Sequence, residues 1–296
     1  MKRKDLSFII KGDQVMLMTP EEHLLSDRGL AYGHGVFETI LRMDHEFPLL
    51  DKHLTRMVSG AAAIGIQVSE LNLTLAIKNF EELVKSDEFE CGVVKIILTA
   101  GRGGRGYKSP TIVYPHLIFR CSELDGNWGL QRNNGIHLWS CRQQLSRNKA
   151  TAGIKHLNRL DQVIASDEVY KVGYKDGLMF DTEGQLIETT CANIFIRSRE
   201  HGWVTPVIES AGINGVMRSF LIEDIFPFKS LSLNISWIDA EKIQAADEMF
   251  ICNSIRGIVP ITCIINGSDE DSKLMDIGET TRELQSMLSK LHPCFK

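Results

Sequence analysis

Lys155 lies in TAGIKHLNRLDQV, between a Gly-bounded turn and the start of a helix near Asn158. A lysine amine in such a place can attack a carbonyl and carry a proton, provided its surroundings loosen its hold on that proton. Most lysines simply face solvent, so the position alone decides nothing. The same is true of Glu188 in GQLIETTCANIFI, a carboxylate on a strand that by default points to water. In AGINGVMRSF (211–220) a Gly-x-x-Gly turn runs into an apolar helix. The backbone N–H groups of Ile213 and Asn214 there suit a phosphate, although the pattern is equally an ordinary helix start. Ser254, just after the run EMFICN, can donate to a phosphate or shape a turn.

GRGGRGY (101–107) satisfies the spacing GxGxxG through Gly101, Gly103 and Gly106. The dinucleotide mechanism behind that spacing needs a helix to open there and face a pyrophosphate. Lys108-Ser109-Pro110 leads into another apolar run instead, and no GK[ST] ending makes it a P-loop. What remains is either a flexible hairpin connection or a loop presenting Arg105, and with it Tyr107, to an anionic substrate. Arg56 lies about 200° around its helix from Leu54 at ~100° per residue. It is therefore off the apolar stripe, on one face with His53 and Gly60, where a solvated arginine is the default.

The elements that must hold these groups alternate between strands and helices. SFII and QVMLM flank Gly12-Asp13 as a hairpin, and VFETILRM follows, with the alternation Val36, Thr39, Leu41 and Met43 suggesting a strand. A helix capped by Asp51 buries Leu54, Met57, Val58, Ala61 and Ile64, and a second spans about 70–85. Residues 93–100 and 111–119 read as buried strands, and the polar stretch 121–134 reads as a linker. These features predict an N-terminal domain over 1–120 and a C-terminal domain over 135–296 that carries Lys155. In the latter, a strand (136–141), a helix (158–172), several strands to Val204 and a helix after Gly215 precede the strands NISWI, EMFICN and GIVPITCII. A helix near 278–291 closes the chain. The mixture is α/β or α+β, and periodicity does not separate the two.

Composition agrees with a globular protein that buries a core. The 296 residues are 43% hydrophobic and 24% charged, with a net charge of −5 that gives no cause to expect nucleic acid. Seven cysteines without a CxxC pair argue against a disulfide framework or a zinc site and for a reducing, cytoplasmic setting. The apolar run in MKRKDLSFIIKGDQ is too short for a signal peptide, and no run reaches the ~20 residues that span a bilayer.

Taken in order, DRGLAYGHGVFETI (27–40), PLLDKHLTRM (48–57), GIKHLNRLDQV (153–163), IETTCANIF (187–195), AGINGVMR (211–218) and ADEMFICNSIRGIVPI (246–261) resemble the fold-type IV pyridoxal 5'-phosphate (PLP) enzymes. These comprise the branched-chain and D-amino-acid aminotransferases and the aminodeoxychorismate lyases. GIKHLNRLDQV, GGRGY and AGINGVMR look most like the lyase branch. The resemblance implies a two-domain subunit, with a small N-terminal α/β domain and a larger barrel-like C-terminal α/β domain. It also implies a homodimer with PLP between the domains. By position, Lys155 matches the lysine that binds PLP, Arg56 the phosphate arginine, and Glu188 the carboxylate facing the pyridine nitrogen. Ile213, Asn214 and Ser254 match the rest of the phosphate site.

The implied reaction converts 4-amino-4-deoxychorismate to 4-aminobenzoate, a folate precursor, and pyruvate. Arg105 is the first choice for the substrate's carboxylates, with Tyr107 and Arg159 after it. Glu38 is a residue of the transaminase branch, His34 replaces an acidic residue of the family, and Leu160 stands where branched-chain transaminases carry tyrosine. His34 is carried as a further substrate contact. A class IV aminotransferase acting on D- or branched-chain amino acids is the alternative, and a PLP-binding protein without turnover is the rival from another class.

Overall fold

The structure is a computed structural model that describes residues 3–17, 26–44, 46–84, 91–104, 106–124, 128–268 and 270–296, with the side chains of 3–6 and 91 outside that description. It groups into two compact units, Met1–Asp125 with Ile154–Asn158, and Gly126–Gly153 with Arg159–Lys296. The stretch containing Lys155 thus groups with the first unit.

The first unit is an antiparallel sheet in the order β2-β1-β5-β4-β3, formed by β1 (Arg3–Lys11), β2 (Gln14–Leu17), β3 (Gly35–Met43), β4 (Cys91–Thr99) and β5 (His116–Glu123). Alternate residues of the strands, among them Phe8, Val94, Ile96, Leu98, Leu117 and Phe119, form one core with the apolar faces of two helices. These are α2 (Leu50–Ala63) and α3 (Glu70–Val84), which follow the short helix α1 (Arg28–Tyr32) in the chain. Leu54, Met57 and Ala61 on α2 meet that core at helical spacing.

Three expectations are corrected in this unit. The residue before α2 is Leu49, in a left-handed conformation (φ 57°), so Asp51 is not the cap but an acidic residue of the first turn, where the helix dipole favours it. The strand expected from 111 begins only at His116, directly after Pro115, which has no N–H for a ladder. On β3 the core-facing set is Val36, Glu38 and Ile40 rather than Thr39 and Met43, so a carboxylate points inward.

The second unit is a wide mixed sheet, curled as broad sheets must be. Its strands are β6 (Ile136–Ser140), β7 (Gly177–Phe180), β8 (Leu186–Thr189), β9 (Asn193–Ser198), β10 (Gly202–Pro206), β11 (Leu233–Ser236), β12 (Glu248–Asn253), β13 (Gly257–Ile265) and β14 (Ser272–Leu274). Their order is β11-β10-β9-β12-β13-β6-β7-β8, with β14 on β13. The central runs are buried on both faces, which explains their unbroken apolar sequence. Phe195 and Phe250 stack 4.8 Å apart beside Trp203 and Phe226, while Ile194, Ile196, Met249 and Ile251 fill another core. The stretch 121–134 is not loop throughout. Residues to Glu123 complete β5, and Trp128–Asn134 form α4, which ends at Gly135 with φ 75°.

The remaining helices are α5 (Leu160–Lys171), α6 (Val216–Phe220), α7 (Phe226–Phe228), α8 (Ala240–Ala245) and α9 (Glu279–Leu291), with one turn of π-helix between α6 and α7. The mixed α/β class expected from the sequence is the one observed. Among the described residues no helix is long and apolar enough to cross a membrane.

Candidate active site

In the first unit, the segment 154–158 lies antiparallel along the edge of β3. The Phe37 N–H donates to the Lys155 carbonyl (2.9 Å), the Leu157 N–H to that of Gly35 (3.0 Å), and Val36 bridges His156. Lys155 is half-buried, with Nζ 4.4 Å from the centre of the Phe37 ring. An aromatic face stabilises a cation held over it.

One residue along β3, Glu38 is 1% exposed and faces α2. Arg56 Nε donates to Oε1 (2.8 Å) and Nη2 to Oε2 (2.5 Å), a forked pairing, while His53 Nδ1 lies 2.6 Å from Oε2. His53 and Arg56 are three residues apart and so share a helix face. Burial pushes the Glu38 carboxyl up, but the adjacent Arg56 and His53 prevail and hold it at about 2. Burial drives His53 the other way, below its ordinary value, helped by Arg56 and Lys155 against Glu38. Its Nε2 finds no partner among the described residues.

His34, on the link between α1 and β3, has both ring nitrogens engaged. Nδ1 faces Arg28 Nε at 3.1 Å and Nε2 faces the Ile64 carbonyl at 2.8 Å. Arg28 Nε can only donate, so Nδ1 accepts and Nε2 carries the proton. Tyr107 is 86% exposed at the tip of the Gly-rich loop, its ring edge-on to Tyr32 at 5.3 Å. Arg105 lies outside the described residues.

In the second unit, Glu188 near the end of β8 is 4% exposed. Gln162 Nε2 donates to its Oε1 (3.1 Å) and the Ile213 N–H to its Oε2 (2.9 Å). The Asn214 N–H donates to the Gly153 carbonyl (3.1 Å), so in this structure both amides of the expected cradle are engaged. The turn itself is braced. Asn193 Nδ2 holds the Ile213 carbonyl (2.8 Å) and Arg218 Nη1 holds Asn214 Oδ1 (2.8 Å). Gly212 sits there at φ 85°, and a Cβ on it would lie 2.5 Å from Ile187 Cγ2.

Arg159, just before α5, is half-buried. Burial lowers its hold on a proton, and the nearby carboxylates of Glu188 and Asp161 oppose that. Ser254 is half-exposed in the turn after β12, a turn fixed by Asn253 Oδ1 accepting from the amides of Ile255 and Arg256.

Each unit therefore gathers its own set: Lys155, Arg56, His53 and Glu38 in one, Glu188, Ile213, Asn214, Gln162 and Arg159 in the other. Sequence reading missed three members. The inward parity of Glu38 on an otherwise apolar strand, and its i, i+3 partners His53 and Arg56, were the available signals. Gln162, two residues into α5, carried none.

The sequence profile of the amino-transferase class IV family matches residues 35–264. The chain belongs to that family. Enzymes of the family depend on PLP. Among relatives, the aminodeoxychorismate lyase of Vibrio harveyi is 28% identical over 271 residues, covering 91% of this chain and 97% of that one. The crystal structure of 4-amino-4-deoxychorismate lyase from Pseudomonas aeruginosa superposes with a TM-score of 0.85 at 31% identity, over 96% of this chain and 98% of that one. The branched-chain amino acid aminotransferase of Escherichia coli gives 0.79 at 17% identity, over 99% and 96%, and shares the fold alone.

Proposed function

We propose that this enzyme is a PLP-dependent lyase that converts 4-amino-4-deoxychorismate to 4-aminobenzoate and pyruvate. Likeness over nearly the full length to two lyases of that name carries the reading. The residues also suit the cofactor. Glu188 is a nearly buried carboxylate oriented by two donors, ready for a ring cation, and Lys155 is a half-buried amine over an aromatic ring. In the loaded enzyme Lys155 would hold PLP, Glu188 would serve its pyridine nitrogen, and Arg56, Ile213, Asn214 and Ser254 would serve its phosphate.

Bound PLP supplies an electron sink for the pair left when a C–H bond at the amine-bearing carbon breaks. Lys155 Nζ takes that proton as general base. The C–O bond to the enolpyruvyl group then breaks, and the ring becomes aromatic as 4-aminobenzoate. Lys155 returns the proton to the methylene carbon of the leaving fragment, giving pyruvate, so all atoms of the substrate are accounted for. Arg105 and Tyr107, with Arg159, receive the two carboxylates, charges for which a planar guanidinium is suited.

Chorismate, glutamine and a synthase that makes the aminated substrate, added to the enzyme, should release 4-aminobenzoate and pyruvate in equal amounts. Amino transfer to a keto acid without that release would select the aminotransferase reading, which Glu38 favours. Arg105→Ala should raise KM for the dicarboxylate and leave the PLP absorbance bands unchanged, and unaltered kinetics would remove Arg105 from the site.

The enzyme acts in the cytoplasm as a homodimer. Leu30, Tyr107 and Ile112 of the first unit are each more than half exposed, apolar side chains that a partner subunit would cover.

A further inference from the structure

Arg28 is a cation buried to 3% exposure, and no carboxylate among the described residues pairs with it. A buried charge is costly unless its hydrogen bonds are met. Here the guanidinium finds them almost wholly on one loop. Nη2 donates to the Tyr107 carbonyl (2.7 Å), and Nη1 to those of Gly106 (3.2 Å) and Lys108 (3.4 Å). Nε donates to His34 Nδ1, which the Ile64 carbonyl fixes from its far side. The same guanidinium lies 5.0 Å from the Tyr32 ring centre, and Tyr32 in turn meets the ring of Tyr107.

The base of this arrangement is tied to the sheet. Asp27 caps α1, its Oδ1 accepting from the Gly29 N–H (2.7 Å), while its Oδ2 accepts from Thr99 Oγ1 (2.7 Å) and lies 2.7 Å from His116 Nδ1. The Arg28 N–H donates to the Gly101 carbonyl (2.9 Å) and the Gly103 N–H to that of Ser26 (3.1 Å). Opening the loop would strip the buried cation of three acceptors at once, so the charge itself favours the closed arrangement.

We propose that Arg28 is the positioning residue of the substrate loop: its guanidinium clasps the carbonyls of residues 106–108 and fixes the backbone of Tyr107, next in sequence to the stretch to which the substrate's carboxylates are assigned above. His34 acts through it, as a strut rather than a substrate contact. The proposal rests on the reading of that loop given above. It also gives Gly103 a reason, since a Cβ there would lie 2.5 Å from Arg28 Cδ and 2.7 Å from Cγ.

Arg28→Met, Arg28→Lys and Gly103→Ala, each as the PLP-loaded enzyme, would be digested briefly with trypsin, with cleavage after Arg102, Arg105 and Lys108 read by mass spectrometry, and assayed alongside Arg105→Ala. Arg28→Met and Gly103→Ala should be cut several-fold faster in the loop than the parent. KM for the dicarboxylate should rise roughly tenfold with kcat little changed and the PLP bands unmoved. Arg28→Lys, which keeps the charge but not the fork, should fall between them. Parental cleavage rates in both Arg28→Met and Gly103→Ala would overturn the clasp. Fast cleavage with parental KM overturns the positioning role, and Arg105→Ala gives the cause: a raised KM there faults Arg28 alone, an unchanged one faults the loop reading beneath it. Gly103→Ala keeps the test open should Arg28→Met fail to fold.

Discussion

Glu38 is a buried anion whose charge is set by two neighbours on α2, and this makes it a stability device as well as a partner for Arg56. Its folded value of about 2 lies below the ordinary 4.5. A carboxyl depressed in this way stabilises the fold above about 4.5, and the benefit is lost as pH falls through that value towards 2. The displacement corresponds to on the order of 3 kcal/mol. His53, held below its ordinary 6.5, acts with the same sign, since the unfolded chain takes up its proton first as pH falls. Denaturant unfolding of the parent should therefore show stability falling steeply from about pH 4.5 downward. Glu38→Gln should cost on the order of 3 kcal/mol at neutral pH and flatten that acid limb, and an unchanged limb would contradict the assignment. The sequence displayed each of these residues but not their meeting. Alternation alone left the parity of β3 ambiguous because Leu41 on its other face is buried too.

Among the elements, the turn 211–215 bears most directly on the cofactor. It ties the Ile213 amide to Glu188 and the Asn214 amide to the Gly153 carbonyl, and Gly212 permits it by adopting φ 85° against Ile187. Gly212→Ala should cost on the order of 1–3 kcal/mol in stability and weaken PLP binding in an equilibrium titration. Parental affinity would show that the turn can shift without disturbing the carboxylate. Strands and helices of the C-terminal half were legible because their apolar runs are long and bounded by glycine and polar turns. The misreadings came where a local signal had a rival. Pro115 cut short an apolar run, Asp51 had the composition of a cap without the geometry, and a polar stretch hid α4 because a short helix needs no apolar face to form against a neighbour.

For the molecule as a whole, light scattering on the purified protein should give twice the chain mass, and Leu30→Glu should reduce it; a monomeric parent would contradict the dimer. The family assignment was readable from six motifs in order, whereas the loop clasp was not, because three backbone carbonyls leave no mark on a sequence. Lys155, a half-buried amine above Phe37 on the edge of β3, is the group on which cofactor binding turns. Borohydride reduction of the PLP-loaded enzyme, followed by peptide mapping, tests it directly. The cofactor should be trapped on the peptide containing Lys155 and lost from a Lys155→Ala variant treated in the same way. Trapping on any other lysine, or none at all in an enzyme that binds PLP and turns over, would contradict the central claim.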